Sequence, residues 1–180
     1  MKENLYAHVR RGAPRRRDWR LWAAVSLVLA VTLAVLIPLL WSVHYQLRFR
    51  HFVQGLSEST LAAYRAECLT AERDGELSPV SGGCGYQIYH LAAGLTPGRW
   101  GKPPEEPAPV VLDYGDGSTL SFWEVPLRNK ASATGLFLWY TDPEGKSDGF
   151  SSALLHLDGI QRLLDQDAAR AERKQENGNG

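Results

Sequence analysis

The sequence predicts an α+β protein: a single N-terminal transmembrane helix, then a small outer domain. That domain is expected to hold two helices, a three- to four-stranded antiparallel meander and a C-terminal helix. Three observations carry this. Residues 21–43 contain no charged side chain, two runs of β-branched and aromatic residues flank Gly115-Asp116-Gly117-Ser118, and apolar residues recur at helical spacing on both sides of those runs.

Taken in order, residues 1–20 form a basic arm, expected in the cytoplasm, and residues 21–43 a transmembrane signal anchor. About 20 apolar residues rising 1.5 Å each cover a hydrocarbon core of roughly 30 Å. Trp22 and Trp41 sit near the ends of the run, where amphipathic rings favour the headgroup level. Pro38 lies near its far end, a position membrane helices tolerate. Arg10, Arg11, Arg15, Arg16, Arg17 and Arg20 precede the span, with Lys2, while Arg48 and Arg50 follow it. The positive-inside rule then puts the N-terminus in the cytoplasm and residues 44–180 outside. A cleaved signal peptide fits less well, because its apolar region is about 7–15 residues and ends in a small-residue site. Here Trp41-Ser42-Val43-His44-Tyr45 follows, with no A-x-A pattern.

The arm also suits attraction to anionic lipid, on the order of 1 kcal/mol per Arg near the surface. It is short and has no nucleic-acid-binding module around it, so no nucleic-acid partner is expected. Within the span, Ser26, Ala30 and Ala34 recur on one helical face, the small-xxx-small spacing that suits a homodimer through the membrane helix. A lipid-facing surface is the simpler reading of the same residues.

The chain is formally neutral, but its bases crowd the N-terminus and leave the outer part acidic. Residues 44–180 suffice for one domain and are too few for two ordinary ones. Outside the cell a disulfide between Cys68 and Cys84 is chemically allowed and would stabilise by about 3 kcal/mol. Two separate buried thiols are the equal alternative. No N-x-S/T acceptor occurs.

Residues 44–56 (HYQLRFRHFVQGL) read as an aromatic and basic juxtamembrane segment, and the α+β domain proper as 57–165. A helix is predicted over 57–73, with Leu61, Tyr64, Cys68 and Leu69 on one face, Ser57 or Ser59 as cap, and Asp74-Gly75 as stop. Residues 77–85 are turn-rich, and Gly82-Gly83 reads as a turn. It lacks the strand and Gly-Lys-Ser/Thr of a phosphate-binding loop. A second helix is predicted over 86–95 on Ile88, Leu91 and Leu95.

A crossover at 96–109 holds Pro97, Pro103, Pro104, Pro107 and Pro109, and can be neither helix nor central strand. A docking polyproline stretch is the lesser reading, since no clear P-x-x-P core with basic flanks stands out. Strands follow at 110–114, 119–125, 135–141 and about 147–152, joined by Gly-Asp-Gly-Ser and by Asp142-Pro143-Glu144-Gly145. Large residues on both faces (Trp123 with Phe122, Phe137 and Trp139 with Leu138) predict one face on the helices and the other toward a partner or second copy. A last helix is predicted over 158–170, and 166–180 overall as a polar, disordered tail.

The search for chemistry assigns no catalytic, cofactor or metal residues. Asp113, Asp116 and Gly117 lack the spacing of a calcium loop. Asp142, Glu144 and Asp148 read as solvated turn residues, and His44 and His51 as interface residues. No C-x-x-C or H-x-x-x-H pair suggests zinc. Ser118, Ser121, Ser151 and Ser152 stand in no nucleophile elbow, and His90 or His156 would need the fold to bring a serine within reach. The expected role is therefore non-enzymatic: an interaction or accessory module displayed outside the membrane, beside a membrane or envelope protein partner. The alternatives are a ligand-binding or sensory ectodomain acting through a membrane partner, and a small envelope hydrolase.

Overall fold

The computed structural model describes residues 19–96, 100–126 and 133–178. Arg10, Arg11, Arg15, Arg16 and Arg17 lie outside the described residues, as does the side chain of Arg20. The chain divides into two compact units, Met1–Tyr45 and Gln46–Gly180.

Helix α1 (Trp19–Ala66) supplies all of the described first unit and opens the second. In the first unit its apolar side chains are exposed, including Trp22 and Trp41, and so are Ser26, Ala30 and Ala34. This helix is long and apolar enough to cross a membrane. Thr32 spends its hydroxyl on the carbonyl of Val28 at 2.8 Å, so the span offers no free polar donor there.

The second unit is α+β. After α1 come β1 (Thr70–Arg73), β2 (Glu76–Pro79), α2 (Gly82–Ala93), β3 (Val110–Asp113), β4 (Thr119–Pro126), β5 (Thr134–Thr141), β6 (Ser147–Ser152) and α3 (Leu157–Gly178). The strands form one six-stranded antiparallel sheet in the order β2-β1-β3-β4-β5-β6. The meander expected at 110–152 is present as β3 to β6.

Two strands were not expected. The helix predicted over 57–73 stops at Ala66, where Glu67 turns left-handed at φ 52°. Thr70–Arg73 then pairs with Glu76–Pro79 around Asp74 (φ 50°) and Gly75 (φ 83°). Two consecutive positive φ values match the right-handed twist of a hairpin, and Asp-Gly tolerates them, so this dipeptide closes a hairpin rather than a helix. The predicted apolar face is split: Leu69 is buried and Cys68 packs against the core. Leu61 and Tyr64 are 46% and 58% exposed, while Phe52, Leu56 and Ala63 face the core. Residues 44–56 continue α1 without a break.

Gly82-Gly83 forms the first turn of α2, not a free turn. Ser81 caps it by accepting from the Cys84 amide at 3.2 Å. Glycine leaves room for close neighbours here: a Cβ on Gly82 would stand 2.2 Å from the Tyr64 ring and one on Gly85 2.4 Å from Leu69, so those side chains would have to shift. Helix α3 outruns its predicted end, and residues up to Gly178 in the segment expected to be disordered are helical. Side chains from Arg170 to Glu176 are exposed, so this extension rests on the strong helix propensity of its Ala, Arg, Glu, Lys and Gln residues. Cys68 and Cys84 are free thiols. Cys68 reaches the Tyr114 carbonyl at 3.0 Å and Cys84 the Leu163 carbonyl at 3.7 Å.

The inner face of the sheet (Leu112, Leu120, Phe122, Leu136, Leu138, Tyr140, Phe150) forms one core cluster with Phe52 and Leu56 of α1, Ile88 of α2, and Ile160 and Leu164 of α3. Phe52 sits at its centre. Its ring meets Phe150 edge-on at 4.8 Å and Tyr140 edge-on at 5.9 Å. Ion pairs Arg48–Asp148 and Arg73–Asp165 tie α1 to β6 and β1 to α3.

Candidate functional site

Two places in the second unit gather chemically distinctive side chains. The first is a groove beside α1, with two lobes of about 480 and 510 Å³ that share Gly55, Glu58, Tyr140, Asp142 and Lys146. Gly55 lets the Tyr140 ring approach the helix, since a Cβ there would stand 3.0 Å from the ring. The Tyr140 hydroxyl then meets Ser59 Oγ at 2.9 Å. Burial pushes the Tyr140 phenol up, so it stays neutral. Partial burial would raise the Asp116 carboxyl as well, but hydrogen bonds from the Ser118 hydroxyl and amide and from Ser59 outweigh it. They hold Asp116 below the ordinary carboxylate range.

The charges of this groove are largely matched from within. Arg48 pairs with Asp148, Lys146 with Glu144, and Asp142 accepts from the backbone amides of Glu144 and Lys146 at 2.9 and 2.8 Å. Asp113 similarly accepts from the Gly115 amide at 2.8 Å. Asp113, Asp116, Asp142 and Glu144 thus hold turns together, whereas Asp148 lies in β6 and pairs with Arg48 of α1. Among the described residues no three His, Cys, Asp or Glu side chains gather around a common metal position. His90 lies edge-on to Tyr86 at 4.4 Å, an aromatic contact on the surface of α2. Burial, with the charge of Asp167 second, pushes the Cys84 thiol up to about 11, which leaves it a poor nucleophile at neutral pH.

The second place is the outer face of the sheet. Alternation along β4 and β5 puts Trp123, Phe137 and Trp139 there, opposite the core side chains. Phe137 stacks on Trp139 at 6.3 Å with 21° between planes, and Trp123 meets Phe137 at 6.0 Å. Gly149 of β6 makes room for this row, because a Cβ there would fall 2.3 Å from Trp139 and 2.9 Å from Phe137.

Residues 100–109 cross this row as a strap without helix or extended ladder. The strap starts at the β6 edge, where Trp100 bridges to Phe150 and the Gly101 amide donates to the Gly149 carbonyl at 3.4 Å. Arg48 lies 4.6 Å from the centre of the Trp100 ring, a cation–π contact. Gly101 then passes over Phe137, and the indole N–H of Trp123 donates to the Glu106 carbonyl at 2.9 Å. Pro103, Pro104, Ala108 and Pro109 are half-buried, whereas Glu105 and Glu106 are exposed. Under the strap Trp123 and Phe137 are only 9% and 5% exposed, and Trp139 remains half-buried.

Sequence reasoning found the aromatic row through its two-faced strands. It missed both the strap's docking onto that row and the groove. No family model matches the chain, and no curated protein or solved structure is significantly similar to it.

Proposed function

We propose that this chain is a single-pass membrane protein, N-terminus in the cytoplasm, that presents Gln46–Gly180 on the other side as a non-enzymatic interaction or accessory module for a membrane or envelope protein. The observation that carries this reading is the charge-free stretch 21–43, helical and with its apolar side chains exposed from Trp22 onward. Transfer of such a surface into lipid is favourable by roughly 25 cal/mol per Å² of apolar area. Arginines before the span support the orientation. For residues 46–180, the supporting feature is Trp139 of the aromatic second face, which stays half-buried while residues 100–109 cover Trp123 and Phe137.

The groove beside α1 favours a second reading, a ligand-binding ectodomain that acts through a membrane partner. Its volume suits a small molecule.

The test compares the full chain with a form lacking residues 21–43, both fractionated after a high-salt wash. The full chain is expected in the membrane pellet and the deleted form in the supernatant. A deleted form that still pellets would contradict anchoring by this helix alone. Crosslinking of the full chain in intact membranes, followed by capture, then asks for the partner. A specific membrane or envelope protein supports the module, and capture of nothing but the chain itself contradicts it.

A further inference from the structure

The strap meets the aromatic row through an indole N–H bond to its backbone and carries half-buried prolines, two features shared with polyproline ligands on aromatic docking faces. Proline-rich segments resist helix and favour an extended conformation, so they lose little conformational entropy on docking. Recognition uses flat aromatic rings against the pyrrolidine rings, with a side-chain N–H donated to a backbone carbonyl. The donated N–H is present, and the half-buried prolines lie in a segment that crosses such rings. The rings are Trp123, Phe137 and Trp139, the half-buried prolines are Pro103, Pro104 and Pro109, and the donor is the Trp123 indole. The carbonyl it meets belongs to the Glu106–Pro107 bond. That is a tertiary amide, an acceptor with no N–H of its own. Pro104 and Pro107 also stand three apart around Glu105 and Glu106, whose exposed side chains leave recognition to rings and carbonyl rather than to charge.

We propose that the Trp123–Phe137–Trp139 face is a docking site for an extended proline-rich segment of a partner protein, and that residues 101–109 occupy it in cis until displaced. This deepens, and rests on, the reading of the outer unit as an interaction module. A partner segment fits better than the strap of a second copy. The strap is pinned at one end by the Trp100–Phe150 bridge and at the other by β3, which pairs with both β1 and β4. Exchange between copies would pull β3 from the middle of the sheet, whereas displacement by a partner lifts only the short stretch between the pins. Trp139, left half-buried at the end of the row, gives an incoming segment a first foothold.

The experiment uses the full chain in detergent micelles and a fluorescein-labelled peptide of sequence KPPEEPAP, the strap's own residues 102–109. A control peptide replaces every proline by alanine. Trp100→Ala loosens the strap at its first pin by removing the Phe150 and Arg48 contacts. Because a closed strap lowers apparent affinity by the fraction of time the face is free, this variant is expected to bind the peptide about tenfold more tightly than the unaltered chain. Adding Trp123→Phe, which keeps a ring and deletes the indole N–H, is expected to return binding to the unaltered level or below. The alanine peptide is expected not to bind.

A second opened form keeps Trp100 and replaces residues 102–107 by Gly and Ser, and it should bind as tightly as the first. No binding by either opened form while each still melts cooperatively overturns the proposal, as does equal binding of the alanine peptide. Loss of cooperative melting in both forms also overturns it, because the strap would then be an inseparable wall of the domain. Failure here leaves the membrane fractionation and partner capture unchanged. Conversely, peptide binding would persist in a chain that captured no membrane protein.

Discussion

Phe52→Ala is expected to destabilise the second unit by about 3–5 kcal/mol, the cost of deleting a fully packed aromatic ring. Phe52 is 1% exposed, joins α1 to the sheet through edge-on contacts with Phe150 and Tyr140, and stacks on Phe49 of its own helix. Each such pair contributes about 0.5–1.5 kcal/mol beyond the area it buries. The cavity would open between α1 and β5–β6, and the walls there are held by the sheet ladder, so little collapse can offset it. Phe52→Leu, which keeps most of the volume, should cost clearly less. Urea unfolding of the detergent-solubilised chain, followed by tryptophan emission, reads this as a lower midpoint with an unchanged slope. A midpoint equal to that of the unaltered chain would place the core elsewhere.

Gly149→Ala is expected to destabilise by about 1–3 kcal/mol, although alanine suits a strand interior better than glycine does. The added methyl would lie 2.3 Å from Trp139, 2.9 Å from Phe137 and 2.9 Å from the Leu138 carbonyl oxygen. The rings could swing aside, but the carbonyl belongs to β5, whose Trp139 is the direct partner of Gly149. Relief therefore requires opening the β5–β6 ladder. Gly159→Ala in the first turn of α3 gives the opposite sign. Nothing lies within 4 Å of its Cβ, and the gain in helix propensity is up to about 1 kcal/mol. Thermal melting of the two variants side by side checks both the size and the reversal. Equal shifts for the two would remove the steric argument.

The legible parts of this fold are those written in composition or in short-range period. The apolar stretch 21–43 needs no partner to be recognised, and β3 to β6 carry β-branched and aromatic residues punctuated by Gly-Asp-Gly and Asp-Pro-Glu-Gly. Strands β1 (TAER) and β2 (ELSP) carry almost no such residues, and the Asp-Gly between them is equally good as a helix stop. Only pairing of β1 with β3 makes them strands. The buried face of α1 was hidden differently. Phe49, Phe52 and Leu56 follow a membrane-like stretch so closely that they read as its aromatic border, yet Phe52 and Leu56 are core and Phe49 packs against it.

The candidate sites are made by long-range contacts. Ser59 meets Tyr140, Arg48 meets Asp148 and Trp123 meets Glu106 across separations of 81, 100 and 17 residues. No local spacing encodes such meetings. The prolines at 103, 104, 107 and 109 marked an extended crossover but not the surface beneath it.

Protease protection in sealed, right-side-out membrane vesicles tests the topology most directly. The chain carries one epitope before residue 1 and another after residue 180. Added protease is expected to destroy the C-terminal epitope while the N-terminal one survives until detergent opens the vesicles. Survival of the C-terminal epitope with loss of the N-terminal one, or loss of both in sealed vesicles, would contradict an outer domain displayed across the membrane from its basic arm.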